Sequence, residues 1–81
     1  MIVVEDGYEL RKLINQRIEE QGPNCDLNDI DVSRVTDMSN MFRNTIFNGD
    51  ISQWDVSNVV HMRYMFDNSP LAKRKPRWYR E

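Results

Sequence analysis

Asp29, Asp31 and Ser33 have counterparts further along at Gln53, Asp55 and Ser57, and this pairing is the first place in the chain where chemistry is conceivable. If both stretches are neighbouring strands, about 4.8 Å apart, Asp31 stands over Asp55. Like charges so placed repel unless something compensates them. A backbone N–H of the following turn can do this, as in Asx turns, and that is the expected role. Partner binding by Asp29, Asp31, Gln53 and Asp55 is the functional alternative. A calcium-like cation is the weakest reading: it takes about six to eight oxygens, which two carboxylates do not supply. No metal site is expected.

Three other groups invite a chemical reading. Met38, Met41, Met62 and Met65 could hold soft copper(I), but they alternate with Val and Phe at core spacing, where Met fills irregular gaps. They are expected inside. His61 has no second His, Cys or acid at ligand spacing and no orienting partner, so it is read as a surface residue rather than a general base. The tail Lys73, Arg74, Lys75, Pro76, Arg77, Trp78, Tyr79 and Arg80 interleaves cations with aromatics, which suits phosphates and stacked bases. Its other readings are a cap, with Trp78 and Tyr79 lying over Trp54, Met62 and Phe66, and, after that, contact with a protein partner. The acidity of the whole chain places nucleic acid behind the cap. No P-loop, G-x-G-x-x-G, H-E-x-x-H, C-x-x-C or nucleophile elbow occurs, so neither catalysis nor a cofactor is expected.

The elements that would position these residues follow from periodicity. Ile2, Val3 and Val4 read as a short strand. Asp6 offers an N-cap, with Glu9 to complete a capping box. Leu10, Leu13, Ile14 and Ile18 mark one helical face, and Gly22 and Pro23 end the helix. The stretch from Asn24 to Phe42 then recurs as Asn48 to Phe66, so that each residue of the first copy has a counterpart at one constant spacing. A fixed period in this range signals stacked repeats. Leu27, Ile30, Val32 and Ile51, Trp54, Val56 predict strands at 29–33 and 53–57. Val35, Met38, Met41, Phe42 and Val59, Met62, Met65, Phe66 predict a short helix or 3₁₀ segment after each. Asn24, Asn44, Asn48 and Asn68 are expected to bond backbone in the turns, or their own stacked copies. Arg43, Arg63 and Tyr64 lie on the helix side and are the second candidate surface for a protein partner.

Charge and composition bound the rest. Residues 1–40 hold nine acids against four bases and residues 41–81 four against seven, so −5 and +3 make up the net −2. That asymmetry could orient a partner or favour association between copies. The lone Cys25 excludes an intrachain disulfide and points to a reducing compartment, with an intermolecular bridge as the minor alternative. The first residues do not have the form of a signal peptide, and no apolar run is long enough to span a membrane. A cytoplasmic protein is the expectation, with a surface or extracellular setting only if the chain is a fragment of a longer one.

The combination N-x-D-L/I-x-x-I/W-D-V-S-x-V-x-x-M-x-x-M-F resembles the BspA-type leucine-rich repeat of bacterial surface proteins, also known as a lipoprotein-associated repeat domain of unknown function. The likeness covers residues 24–71, and both flanks resemble the segments that bracket such repeats. It implies a short right-handed α/β leucine-rich-repeat-like solenoid used for binding and without catalysis. The expected division is a strand-helix cap at 1–23, two coils of equal length at 24–47 and 48–71, and a capping tail at 72–81. Having two repeats and no secretion signal, the chain departs from the usual adhesin. A short intracellular form, encoded by a phage or mobile element and blocking a host protein, is the alternative within protein binding. The protein partner is unidentified, and a homo-oligomer is a live version because edge strands invite pairing.

Overall fold

Asp6 begins the one α-helix among the described residues, which are 1–80 in this computed structural model. Its extended backbone leaves the side chain free to accept the N–H of Glu9 at 2.8 Å, while Glu9 Oε1 accepts the N–H of Glu5 at 3.0 Å. The capping box thus reaches back to Glu5. Helix α1 runs Gly7–Gln21 and stops at Gly22, whose φ of 89° suits a residue without Cβ and whose N–H bonds to Ile18 O at 2.8 Å. Leu10 and Ile14 are buried, and Leu13 and Ile18 pack at the edge of the core.

Strand β1 (Ile2–Val3) pairs in parallel with β2 (Ile30–Asp31), Ile2 against Ile30 and Val3 against Asp31. Helix α1 supplies most of the crossover that a parallel pair requires. The sheet has these two strands only, among the described residues.

The expected two-coil solenoid is not the fold. The structure is a small domain with one α-helix, one two-stranded parallel sheet and a 3₁₀ segment at Pro70–Lys73. The strand expected at 29–33 shrinks to Ile30–Asp31, none forms at 53–57, and the segments expected to be helical after each are successive turns. The reason lies in where the backbone N–H groups go. Ile30, Val35, Met41, Trp54, Val59 and Met65 each bond the carbonyl three residues back. Asn28, Ser33, Ser39, Ser52 and Ser57 each bond the side chain of an Asp two residues back. Positive φ at Asn40, Asn44, Tyr64 and Asn68 then breaks any right-handed helical run. Contacts between the two copies are single rungs rather than a sheet: bridges join Asp26 to Asp50 and Asp37 to His61, and Met38, Asn40, Phe42 and Asn44 donate to His61, Arg63, Met65 and Asp67.

The core is apolar throughout. Leu27, Ile30, Val32, Val35, Met38, Phe42, Phe47, Met65 and Phe66 are almost fully buried, and Met41 and Met62 nearly so. Phe42 stacks on Phe47 at 5.0 Å and on Phe66 at 5.7 Å, binding the two copies through their rings. At Gly49 a Cβ would lie 1.8 Å from Cys25 O, so the copies approach there closer than any side chain permits.

Candidate interaction surface

The carboxylates on the β2 side are held locally. Arg17, projecting from α1, grips Asp29 with both guanidinium ends, at 2.9 and 2.6 Å, and that bond holds the Asp29 carboxyl below its ordinary range. Asp31 accepts from Ser33 and Asp55 from Ser57, at 2.9 and 3.0 Å. Both carboxyls are lowered by those serines, hydroxyl and backbone N–H together. Repulsion from Asp31 acts on Asp55 in the opposite sense and is the weaker effect, since the net direction is down. Asp37 is lowered by the N–H and hydroxyl of Ser39, and Asp50, bonded by Ser52 N–H and facing Asn28, falls to about 2. The backbone N–H of Gln53 bonds Asn28 Oδ1 at 2.9 Å. Asp31, Asp37, Asp50 and Asp55 make turns, and Asp29 ties α1 to the β2 side.

Arg43, Arg63 and Tyr64 are brought together. Two guanidinium groups lie over the Tyr64 ring, Arg43 at 5.6 Å and Arg63 at 5.9 Å from its centroid. Such contacts contribute about 0.5–1 kcal/mol at exposed sites. Tyr64 stays 52% exposed. Its backbone has a φ of 57°, whereas Asn40, its counterpart in the first copy, has 62°. Asn enters this left-handed region readily; a bulky aromatic does so against roughly 1–2 kcal/mol of steric cost. Beside Tyr64 runs an open groove lined by His61, Arg63, Asp67, Lys75 and Tyr79, with the Lys75 ammonium 5.2 Å from the Tyr79 ring.

The tail divides between the core and the surface. Trp78 stacks on Trp54 at 6.2 Å and tilts over Phe66 at 6.4 Å, and Tyr79 meets Phe66 edge-on at 5.3 Å. Arg74 bonds Asn48 Oδ1 and Arg80 bonds Val59 O. Lys73, Arg74, Lys75 and Arg77 are exposed.

Two features escaped the sequence reading. Arg11 donates to the carbonyls of Asn40 and Met41, tying α1 to the turn that precedes Arg43. The indole of Trp54 donates to Leu27 O and that of Trp78 to Ile51 O, each at 2.9 Å and each 27 residues back. The signal for the second was available: Trp78 follows Trp54 at the same spacing as Trp54's own repeat follows the first, one further step of the period.

A helix-fronted domain with an internally repeated, turn-rich body is the class that this geometry defines. Residues 9–75 match the family described as Mycoplasma protein of unknown function, DUF285. The chain therefore belongs to DUF285. No curated protein and no solved structure matches it. Among the described residues no helix is long and apolar enough to cross a membrane.

Proposed function

We propose that this chain is a non-enzymatic protein-interaction domain that holds its partner through the face bearing Arg43, Arg63 and Tyr64. The observation that carries this reading is the strained backbone of an exposed tyrosine. A residue that relieves the strain stands at the matching place in the first copy, so the strain serves no purpose that the fold itself requires. Tyrosine flanked by arginines is also the composition that dominates binding energy at protein interfaces. The two guanidinium groups and Lys75 favour a partner with carboxylates around an apolar anchor. The carboxylate face supports the reading less, because Asp29, Asp31 and Asp55 already have bonds within the chain. Nucleic-acid binding by the tail is less supported for a similar reason, since Trp78, Arg74 and Arg80 are engaged internally.

Kinship to BspA-type repeats of bacterial surface proteins belongs to this proposal as a kinship of sequence, resting on the long shared motif. Perturbed carboxyls that trace to turn hydrogen bonds and, at Asp29, to the Arg17 guanidinium, rather than to a shared pocket, support a non-catalytic role. A buried free thiol at Cys25 is compatible with a reducing compartment.

The test uses Tyr64→Asn. Capture from host lysate with the wild-type chain supplies a partner, whose affinity is then measured with purified proteins. Tyr64→Asn is expected to raise stability by about 1 kcal/mol and to weaken binding by about tenfold or more. A captured partner bound equally well by Tyr64→Asn and by Arg43→Ala with Arg63→Ala refutes the reading.

A further inference from the structure

Among the described residues, β1 is hydrogen-bonded on one side only. The N–H groups of Ile2 and Val4 go inward to Asp29 O and Asp31 O, at 2.9 and 3.2 Å. In a parallel ladder the N–H and C=O of Val3, between them, therefore face outward. Parallel strands are normally covered on both sides, yet Ile2 and Val3 are 42% and 45% exposed. A groove continues from this edge across α1, lined by Val3, Asp6, Tyr8, Glu9, Lys12 and Leu13. Tyr8 is 75% exposed with Lys12 5.7 Å from its ring centroid. An open strand edge beside apolar surface is a template for another strand.

We propose that this edge and groove pair with the same surface of a second copy, β1 running antiparallel to its counterpart about a two-fold axis. The occupant is fixed by what the rest of the molecule can offer. A head-to-tail arrangement requires a complementary edge at the far end, and the tail there is unsuited to supply one. Pro76 has no N–H to donate, Lys73, Arg74, Lys75 and Arg77 surround it, and 74–80 contains no strand or bridge. Proline and flanking cations are the usual means of blunting an edge. Like therefore meets like, and the assembly closes at two copies instead of growing. Charge is consistent with the dyad. The groove holds Lys12 beside Asp6 and Glu9, whose capping bonds use only one oxygen of each carboxylate, so two-fold symmetry can set the cation of each copy against the remaining oxygens of the other. With only two residues of strand to pair, the association is weak, with a Kd on the order of 10–100 µM. The inference is independent of the Tyr64 face.

Sedimentation equilibrium of the full chain from about 10 µM to about 1 mM tests it across that Kd range. The wild-type mass is expected to rise with concentration from 9.7 kDa towards twice that value and no further. Val3→Lys, which leaves the inward bonds of Ile2 and Val4 in place, should raise the Kd about tenfold or more. Tyr8→Ala on the helix side of the groove provides a second, fold-neutral variant and should also weaken the dimer. In Val3→Cys the new thiols should form an intermolecular disulfide on mild oxidation, whereas Arg77→Cys should not. A monomer at every concentration overturns the proposal. So does a dimer indifferent to Val3→Lys and Tyr8→Ala, or an open-ended polymer dissolved by Arg74→Glu with Lys75→Glu.

Discussion

Leu10 and Ile14 of α1 are 0% and 1% exposed at one end of the molecule, whereas Trp78 and Tyr79 at the other are only half-buried. The first end is built from regular elements: a capped helix, a strand in register with β2, and Arg11 and Arg17 reaching from the helix to the turns beneath. The second has one short 3₁₀ turn, and its chain is fastened by side-chain donors, the Trp78 indole on Ile51 O and Arg80 on Val59 O. Backbone pairing leaves a further edge behind it, which is why β1 remains open. Side-chain fastening builds no ladder, and 74–80 contains no strand or bridge.

The contrast can be broken most forcefully at the helix. Leu10→Ala should cost about 3 kcal/mol, the middle of the range for a buried leucine that leaves a cavity. For a domain of this size each kcal/mol lowers the melting temperature by roughly 4–8 °C. Trp78→Ala should cost less, about 2 kcal/mol, because the ring is half-buried to begin with. Trp78→Phe separates stacking from hydrogen bonding and should cost about 1 kcal/mol, the value of one amide-type bond. Calorimetry on the three variants checks the order. If Trp78→Ala proves worse than Leu10→Ala, the tail rather than α1 is the principal closure.

Acid distinguishes the two ends by slope. In the folded chain Asp29, Asp31, Asp37, Asp50 and Asp55 titrate below their ordinary value of 3.8, Asp50 at about 2. A depressed carboxyl binds protons less readily when folded, so its contribution is complete above 3.8 and is lost as pH falls through the lowered values. The bonds that Arg74, Trp78 and Arg80 donate end on neutral oxygens and bring no such dependence. Denaturant midpoints measured between pH 7 and about pH 2 should therefore fall only on the acid side. Asp29→Asn should flatten that limb, while Trp78→Ala should lower the whole curve without changing its slope.

Much of the helical end was legible because its signals are local. Asp6, Glu9, Leu10, Ile14 and Gly22 each act within one helix, and each does what its spacing implies. The buried methionines and the turn-bonding of Asp31 and Asp55 could also be read, as could the proximity of Arg43, Arg63 and Tyr64. Strands and helices in the repeats could not. A pattern such as I-D-V alternates like a strand, yet Asp26, Asp31, Asp37, Asp50 and Asp55 capture N–H groups that a ladder would use. Apolar spacing of three suits a helix, but it equally suits consecutive turns separated by left-handed Asn40 and Asn44. The hydrophobic pattern specifies which residues enter the core; competition for the backbone decides the element that carries them. Tyr64 shows the limit most clearly, because nothing in an aromatic residue announces a positive φ.

The smallest effect sharpens the comparison furthest. Among the described residues, Arg17 and Asp29 form the one tight charged fastening between α1 and the β2 side, at 2.6 Å, with side chains 11% and 52% exposed. Because the carboxylate faces water, its Coulomb gain is largely screened. A double-mutant cycle with Arg17→Met and Asp29→Asn should give a coupling of about 0.5–1 kcal/mol. Raising salt should reduce it only in part, since two parallel hydrogen bonds persist after the charges are screened. The equivalent cycle at the other end, Arg80→Met measured alone and with Trp78→Phe, should show little coupling because the two side chains bond different carbonyls, Val59 and Ile51. A large coupling there means the tail docks as one unit, and its two anchors then count as a single closure comparable to the helix.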